Sequence, residues 1–167
     1  MSIEIYSWDD LPDDSKENVA NLVSSYTQRE LGEKPQMLPI TPQEVFAKFT
    51  GATAMTGRVF AGYIAASKPI AHAGSKMSEI GSLWVPKGFR GQGIAHKLVK
   101  HISTNVSKKS VTPFSFCNPL SLGVFLDSDY RQAAQEEIPA ESFGLCANCP
   151  AKPGTGCCDT TVIYEEK

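Results

Sequence analysis

Apolar positions along the chain change period several times, and each change marks an element. Ile3-Glu-Ile-Tyr-Ser7 alternates as a short strand. Pro12-Asp13-Asp14-Ser15 then starts a helix with acids in its first turn, and Val19, Leu22, Val23, Tyr26 and Leu31 recur at helical spacing until Gly32 ends it. Glu33 to Ile40 carries two prolines and reads as a loop. Thr41-Pro42-Gln43-Glu44 has the pattern of a capping box and opens a second helix, with Val45, Phe46 and Phe49 as its buried side. Ala52–Thr56 and Arg58–Ala66 are two strands of a hairpin around Thr56-Gly57, and Ser67 to Ser78 reads as a polar connection.

The most informative stretch is Glu79 to Ile102. From Gly81 to Val85 small or polar residues alternate with bulky ones, and Pro86 removes a donor and stops the strand. After Gly93, Ile94, Leu98, Ile102 and Val106 fall at helical spacing, widened by Ala95 and Val99. Val111 to Cys117 supplies another strand, Asn118-Pro119 starts a helix, and Tyr130 to about Gln135 and Asp159–Tyr164 are the last two strands. The elements run β-α-α-β-β-β-α-β-α-β-β, an α/β chain.

Between the central strand and its helix lies Arg90-Gly91-Gln92-Gly93-Ile94-Ala95. Two glycines let the backbone turn sharply and leave amide groups uncovered at a helix start, where unpaired N–H groups and the positive end of the helix dipole favour an anion such as phosphate.

This hexapeptide resembles the Arg/Gln-x-x-Gly-x-Gly/Ala signature of the GNAT acetyltransferase superfamily, and Glu79 to Leu98 is similar to that family's strand-and-loop block. The resemblance implies a mixed, mostly antiparallel central sheet with flanking helices. It implies acetyl-coenzyme A as cosubstrate, its pyrophosphate on the amides of Arg90, Gly91, Gln92, Gly93, Ile94 and Ala95, and its pantetheine arm along Leu83-Trp84-Val85 and beside Asn118. It also implies a base at Glu79 and a backbone N–H near Val85 for the oxyanion. An amine of pKa near 10 must lose its proton before it can attack a thioester, which is the chemistry a carboxylate at residue 79 would serve. The other reading of Glu79 is a solvated residue at a strand end.

Asn118 to Arg131 is similar to a second family block and departs from it twice. Asp129 stands for a glycine, which Asp tolerates because it adopts left-handed backbone angles. Phe125 stands for the tyrosine that many members use to protonate the departing thiolate. A phenyl ring cannot donate a proton, though a thiolate of pKa about 8.5 leaves tolerably near neutrality. His72, His96 and His101 read as loop or helix-surface residues, and Trp84 as packing.

Composition and charge add limits rather than partners. With 167 residues and a formal charge of −2, the chain is one domain, residues 1–167, with no global attraction for nucleic acid or membrane. The start lacks a basic region followed by an apolar one and no apolar run is long enough to span a bilayer, so a cytoplasmic protein is expected.

Four of the five cysteines, Cys146, Cys149, Cys157 and Cys158, cluster in a Cys-rich loop at 136–158 between the last two strands. Without an export signal such a cluster suits a structural zinc; a disulfide or redox switch, free thiols and an iron–sulfur cluster stay open. Cys117 reads as a small core residue. The expected function is acetyl transfer to a primary amine by direct attack in a ternary complex. The other readings are an inactive coenzyme A-binding module and a metal or redox sensor. The acceptor, whether small amine, protein amine or aminoacyl-tRNA, stays open, as does a homodimer; the lack of a basic patch weighs against tRNA.

Overall fold

The computed structural model describes residues 2–29, 39–148 and 158–166, the side chains of residues 145–148 excepted. The strands are β1 (Glu4–Ser7), β2 (Thr50–Thr56), β3 (Val59–Ala66), β4 (Ile70–His72), β5 (Ser75–Trp84), β6 (Thr112–Cys117), β7 (Tyr130–Gln132) and β8 (Thr160–Tyr164). The helices are α1 (Asp13–Arg29), α2 (Pro42–Phe46), α3 (Ile94–Ser107) and α4 (Leu122–Leu126). The expected end of the first helix at Leu31-Gly32 lies outside the described residues.

The sheet runs β1-β2-β3-β5-β6-β8-β7, with β4 paired to the first part of β5. Its neighbours are antiparallel except β5 and β6, which run parallel. This is the mixed, mostly antiparallel α/β sheet that the sequence led us to expect, with one strand more. The stretch 67–78 is not a plain connection. Ala73 and Gly74 take positive φ angles of 47° and 81°, a two-residue turn that folds Ile70 onto Met77 and lets β5 begin at Ser75.

α3 lies on one face. Its Ile94, Leu98, Val99, Ile102 and Val106 pack with Ala52, Ala54, Ile64 and Ile80 of the sheet. Gly62 allows this close approach, since a Cβ there would come within 3.0 Å of Leu98 Cδ1 and 3.2 Å of Ile94 Cγ2. The other face has two separate covers. α1 and α2 bury Val19, Ala20, Val23 and Val45 against Phe60, Tyr63, Ala65 and Trp84. Over β5, β6 and β8 lies a 3-10 segment, Ala140–Asn148, and Phe143 and Ile138 pack with Met77, Phe114, Phe116 and Ile163.

The capping box before α2 is present, with Glu44 N donating to Thr41 Oγ1 at 3.2 Å and Thr41 N donating to Glu44 Oε2 at 2.7 Å. Two residues placed on buried stripes are more exposed than expected, Leu22 at 38% and Phe46 at 48%. On α1 the inward positions include the small Ala20 and Ser24, while Phe46 lies edge-on against Trp8 at 5.7 Å. α4 begins at Leu122 rather than at Pro119, because Asn118 Oδ1 accepts from Leu120 N and Ser121 N, both at 3.0 Å, and holds a turn first.

Candidate active site

The site is built around an irregularity in β5. Tyr63 faces Trp84, but Ala65 faces Gly81, so β5 carries one extra residue between these pairs. Ser82 has φ +54°, and the strand bulges there. The bulge reverses the alternation of side chains. Ile80 points to the α3 face; two residues of regular strand later Ser82 would follow it, yet it is Leu83 and Val85 that pack on the α3 side, and Trp84 goes to the other face.

β5 also parts from β6 here. Their pairing covers Met77–Thr112, Ser78–Pro113 and Glu79–Phe114 and stops. Ser115 Oγ donates to Ile80 O at 2.7 Å, a side-chain tie just past the last ladder pair. Beyond it the strands fork, and the opening leads into a cavity of about 380 Å³ on the α3 face.

That cavity gathers most of the residues expected to hold the cofactor. Leu83 and Val85 from β5, Arg90, Gly91 and Gly93 from the loop, Ile94 and Ala95 from α3, and Asn118 after β6 all line it, with Phe89, His96, Leu120, Ser121 and Val124. Gly91 and Gly93 have φ angles of +76° and +74°, where an L side chain is strained, and a Cβ on either would meet nothing within 4 Å. The absent side chains therefore leave the backbone open toward the cavity. Gly93 caps α3, whose first turn has no acidic residue and whose first amides have no partner within the helix. Arg90 is held at the end of the strand, its Nε donating to Val85 O at 2.9 Å. The cavity thus pairs an apolar wall with an anion-binding end, which fits a thioester arm joined to a pyrophosphate.

Two expected residues are not brought there. Trp84 is 1% exposed and stacks with Tyr26 at 5.0 Å and Phe60 at 5.9 Å on the far face, because the bulge turns its side chain away. Gln92 is exposed and donates through Nε2 to Gly88 O at 3.4 Å, so it braces the loop rather than lining the cavity.

Glu79 sits before the bulge and hence on the face opposite α3, beside Gly81, where a Cβ would be 3.5 Å from Glu79 Oε1. Burial raises its carboxyl above the usual carboxylate range, with Lys48 opposing. Phe125 is buried, edge-on to Tyr130 at 5.0 Å. Tyr130 does not replace the missing phenol, because its hydroxyl is paired with Ser103 Oγ at 2.6 Å and burial pushes its pKa up. Asp129 takes φ +65°, as its place in the motif requires.

The histidines divide. His72 Nε2 lies 3.2 Å from Glu136 O, and His101 Nε2 lies 2.8 Å from Ser7 Oγ, with its pKa lowered chiefly by burial. His96 lines the cavity, with Nε2 3.4 Å from Asp127 Oδ2. Sequence reasoning set it aside because it lies off the apolar stripe of α3; its place in the first turn after Gly93 was the signal.

Of the cysteines, Cys117 is buried and its thiol is pushed up to about 11, mainly by burial, while Cys158 is exposed. Cys149, Cys157 and the side chain of Cys146 lie outside the described residues, so the four thiols are not seen together. Among the described residues no group of three or more His, Cys, Asp or Glu side chains is placed to hold a metal ion.

The profile of the Acetyltransferase (GNAT) family matches residues 9–116. The chain belongs to the GNAT acetyltransferase family. No protein of curated function matches it in sequence. Among solved structures, N-acetylglutamate synthase from Neisseria gonorrhoeae, complexed with coenzyme A and N-acetyl-glutamate, superimposes with a TM-score of 0.69 at 12% identity, over 98% of this chain and 35% of the synthase. This chain thus spans about a third of that protein's length. A GNAT family acetyltransferase from Staphylococcus aureus Mu50 gives 0.62 at 13% identity over 98% of both chains. A GNAT family N-acetyltransferase from Escherichia coli, in complex with coenzyme A, gives 0.55 at 16% identity over 97% of this chain and 80% of that one. At such identities the likeness is one of fold. No helix among the described residues is long and apolar enough to cross a membrane.

Proposed function

We propose that this GNAT protein transfers an acetyl group from acetyl-coenzyme A to a primary amine by direct attack in a ternary complex. The observation that carries the reading is the cavity at the fork, where the glycine turn, the start of α3 and the apolar wall of Leu83 and Val85 converge. Acetyl-coenzyme A supplies an activated acyl thioester. The amides of the turn, residues 91 to 95, bind its pyrophosphate, Leu83 and Val85 flank the arm, and Asn118 borders it from the other side of the fork.

The amine enters from the face opposite α3, where Glu79 takes its proton, directly or through water. A carboxyl raised by burial suits this task, since a general base works best when its pKa lies closer to the operating pH. No side chain is assigned as general acid, because Phe125 stands where a phenol would. Were Cys146, Cys149, Cys157 and Cys158 to hold a zinc, it would fix the Cys-rich stretch as a lid over the acceptor. Cys149→Ser then lowers bound zinc and raises the acceptor KM; unchanged zinc and kinetics remove the lid.

The reading is tested by following release of free coenzyme A thiol from acetyl-coenzyme A against a panel of small amines, lysine-bearing peptides and peptides with free α-amines. Turnover with at least one class is expected. Tight coenzyme A binding without turnover on any class would favour the second reading, a binding module whose chemistry went with the tyrosine at Phe125.

A further inference from the structure

Between β4 and the chain that follows β7 lies a second cavity, of about 530 Å³, which shares no residue with the cavity at the fork. Its lining includes Ala71 and His72 of β4, and Glu136, Ile138, Glu141 and Phe143 of the chain between β7 and β8. Ile138 and Phe143 belong to the apolar cover over Met77 and Phe114, so the base of the cavity is apolar. Glu136 and Glu141 are exposed, and neither carboxylate has a hydrogen-bond or ion-pair partner among the described residues. Glu137 beside them is taken by Arg131. Ser142, between two lining residues, is 5% exposed and its hydroxyl has no partner either.

β4 pairs with β5 alone. His72 and Ser75 flank a two-residue turn and form a hydrogen-bonded pair, so at the next pair, Ala71 and Lys76, the backbone groups point outward. Ala71 is exposed, and its outward N–H and C=O have no partner among the described residues. An unpaired edge beside a cavity suits an extended segment: backbone bonds hold the segment, and the cavity takes one of its side chains. The lining selects which side chain. A long basic one lays its methylene stem on Ile138 and Phe143 and brings its head to Glu136 and Glu141, and arginine, with a planar fork of five donors, can serve two carboxylates at once. His72 is already engaged, its Nε2 lying 3.2 Å from Glu136 O.

We propose that the free edge of β4 and this cavity form a docking site for an extended, arginine-bearing segment of a partner protein. The site lies on the face opposite α3, away from the cavity at the fork, and its occupation requires no acetyl transfer.

The test is calorimetric titration of the full chain with a seven-residue peptide of alternating threonine and valine carrying one central arginine. Both ends are blocked, so the probe has no amine to acetylate, and its binding is read apart from catalysis. It is expected to bind at least tenfold more tightly than the same peptide with a central glutamate, and hydrogen exchange at the Ala71 amide should slow when it binds. The double variant Glu136→Gln, Glu141→Gln should weaken binding about tenfold, since two charge pairs are lost together. N-methylation of the peptide backbone on the edge that meets β4 should weaken it by a similar factor on the unaltered protein. Equal affinity for the arginine and glutamate peptides, full affinity in the double variant, or unchanged exchange at Ala71 overturns the proposal. So does binding of spermidine without binding of the blocked peptide, which would make this a site for small cations. Each of these results leaves the acetyl-coenzyme A reading untouched.

Discussion

β5 behaves as two different strands on either side of Ser82. Before the bulge its outward row, Met77, Glu79 and Gly81, faces the covers opposite α3, and the strand is tied to β6. After it, Leu83 and Val85 face α3, the bond to β6 is gone, and the open backbone leads to the glycine turn. One inserted residue thus lets a single strand present a carboxylate to one face and an apolar cavity wall to the other, within a few residues of each other. The two faces differ in how they are made. The α3 side is a cavity floored by backbone and aliphatic side chains, whereas the other side is sealed near Trp84 by a stack of Tyr26, Trp84 and Phe60.

The division can be broken at several points. Trp84→Ala removes one of three mutually packed rings and should cost about 3–5 kcal/mol by denaturant unfolding, the range for deleting a buried aromatic; a loss below 1 kcal/mol would mean that Trp84 does not anchor the face opposite α3. Glu79→Gln should lower kcat by about 10²–10⁴ while coenzyme A affinity stays unchanged, because the carboxyl lies on the other side of the bulge.

The same change has a signed effect on stability. Burial raises the Glu79 carboxyl, so its folded-state contribution is fully present below the unfolded pKa of about 4.3 and is lost as pH rises through the folded value. Removing the charge should therefore make Glu79→Gln at least as stable as the wild type at pH 7 by thermal melting, and a clearly lower Tm would show that the carboxylate is instead a stabilising partner.

Gly93→Ala should weaken coenzyme A binding at least tenfold, since it places a Cβ at φ +74° at the mouth of the anion site, with a backbone cost of about 1–2 kcal/mol. It should leave the acceptor KM, measured at saturating cofactor, near the wild-type value. The smallest effect is expected from Ser82→Gly, which relieves a left-handed serine and should add about 1 kcal/mol of stability without moving either site. A loss of stability there would mean that the serine side chain, not the backbone, maintains the bulge.

The cavity side was largely readable because it is made from contiguous chain. Residues 83 to 95 carry their own strand, stop, turn and helix start, and the chemistry of Gly91 and Gly93 is local. The bulge was not readable, because it is a matter of register against Tyr63 and Ala65 on the neighbouring strand β3, which the local sequence of β5 does not carry. Missing it put Trp84 along the cofactor arm when its side chain lies on the far face. The Gly81-Ser82 pair inside a strand was the available hint. Ser115, which ties the fork to Ile80 O, looks like any polar strand residue until the partner strand is in place. His96 was judged by the stripe of α3, which decides core packing but not what faces the end of a helix.

The central claim is that cofactor and acceptor meet β5 on opposite sides of Ser82. The most direct measurement is calorimetric titration of coenzyme A into the wild type, Glu79→Gln and Gly93→Ala, with turnover followed on the same samples. Glu79→Gln is expected to keep a Kd within about twofold of the wild type despite collapsed turnover, and Gly93→Ala to show a Kd at least tenfold weaker. Loss of coenzyme A affinity in Glu79→Gln, or full affinity in Gly93→Ala, would contradict it.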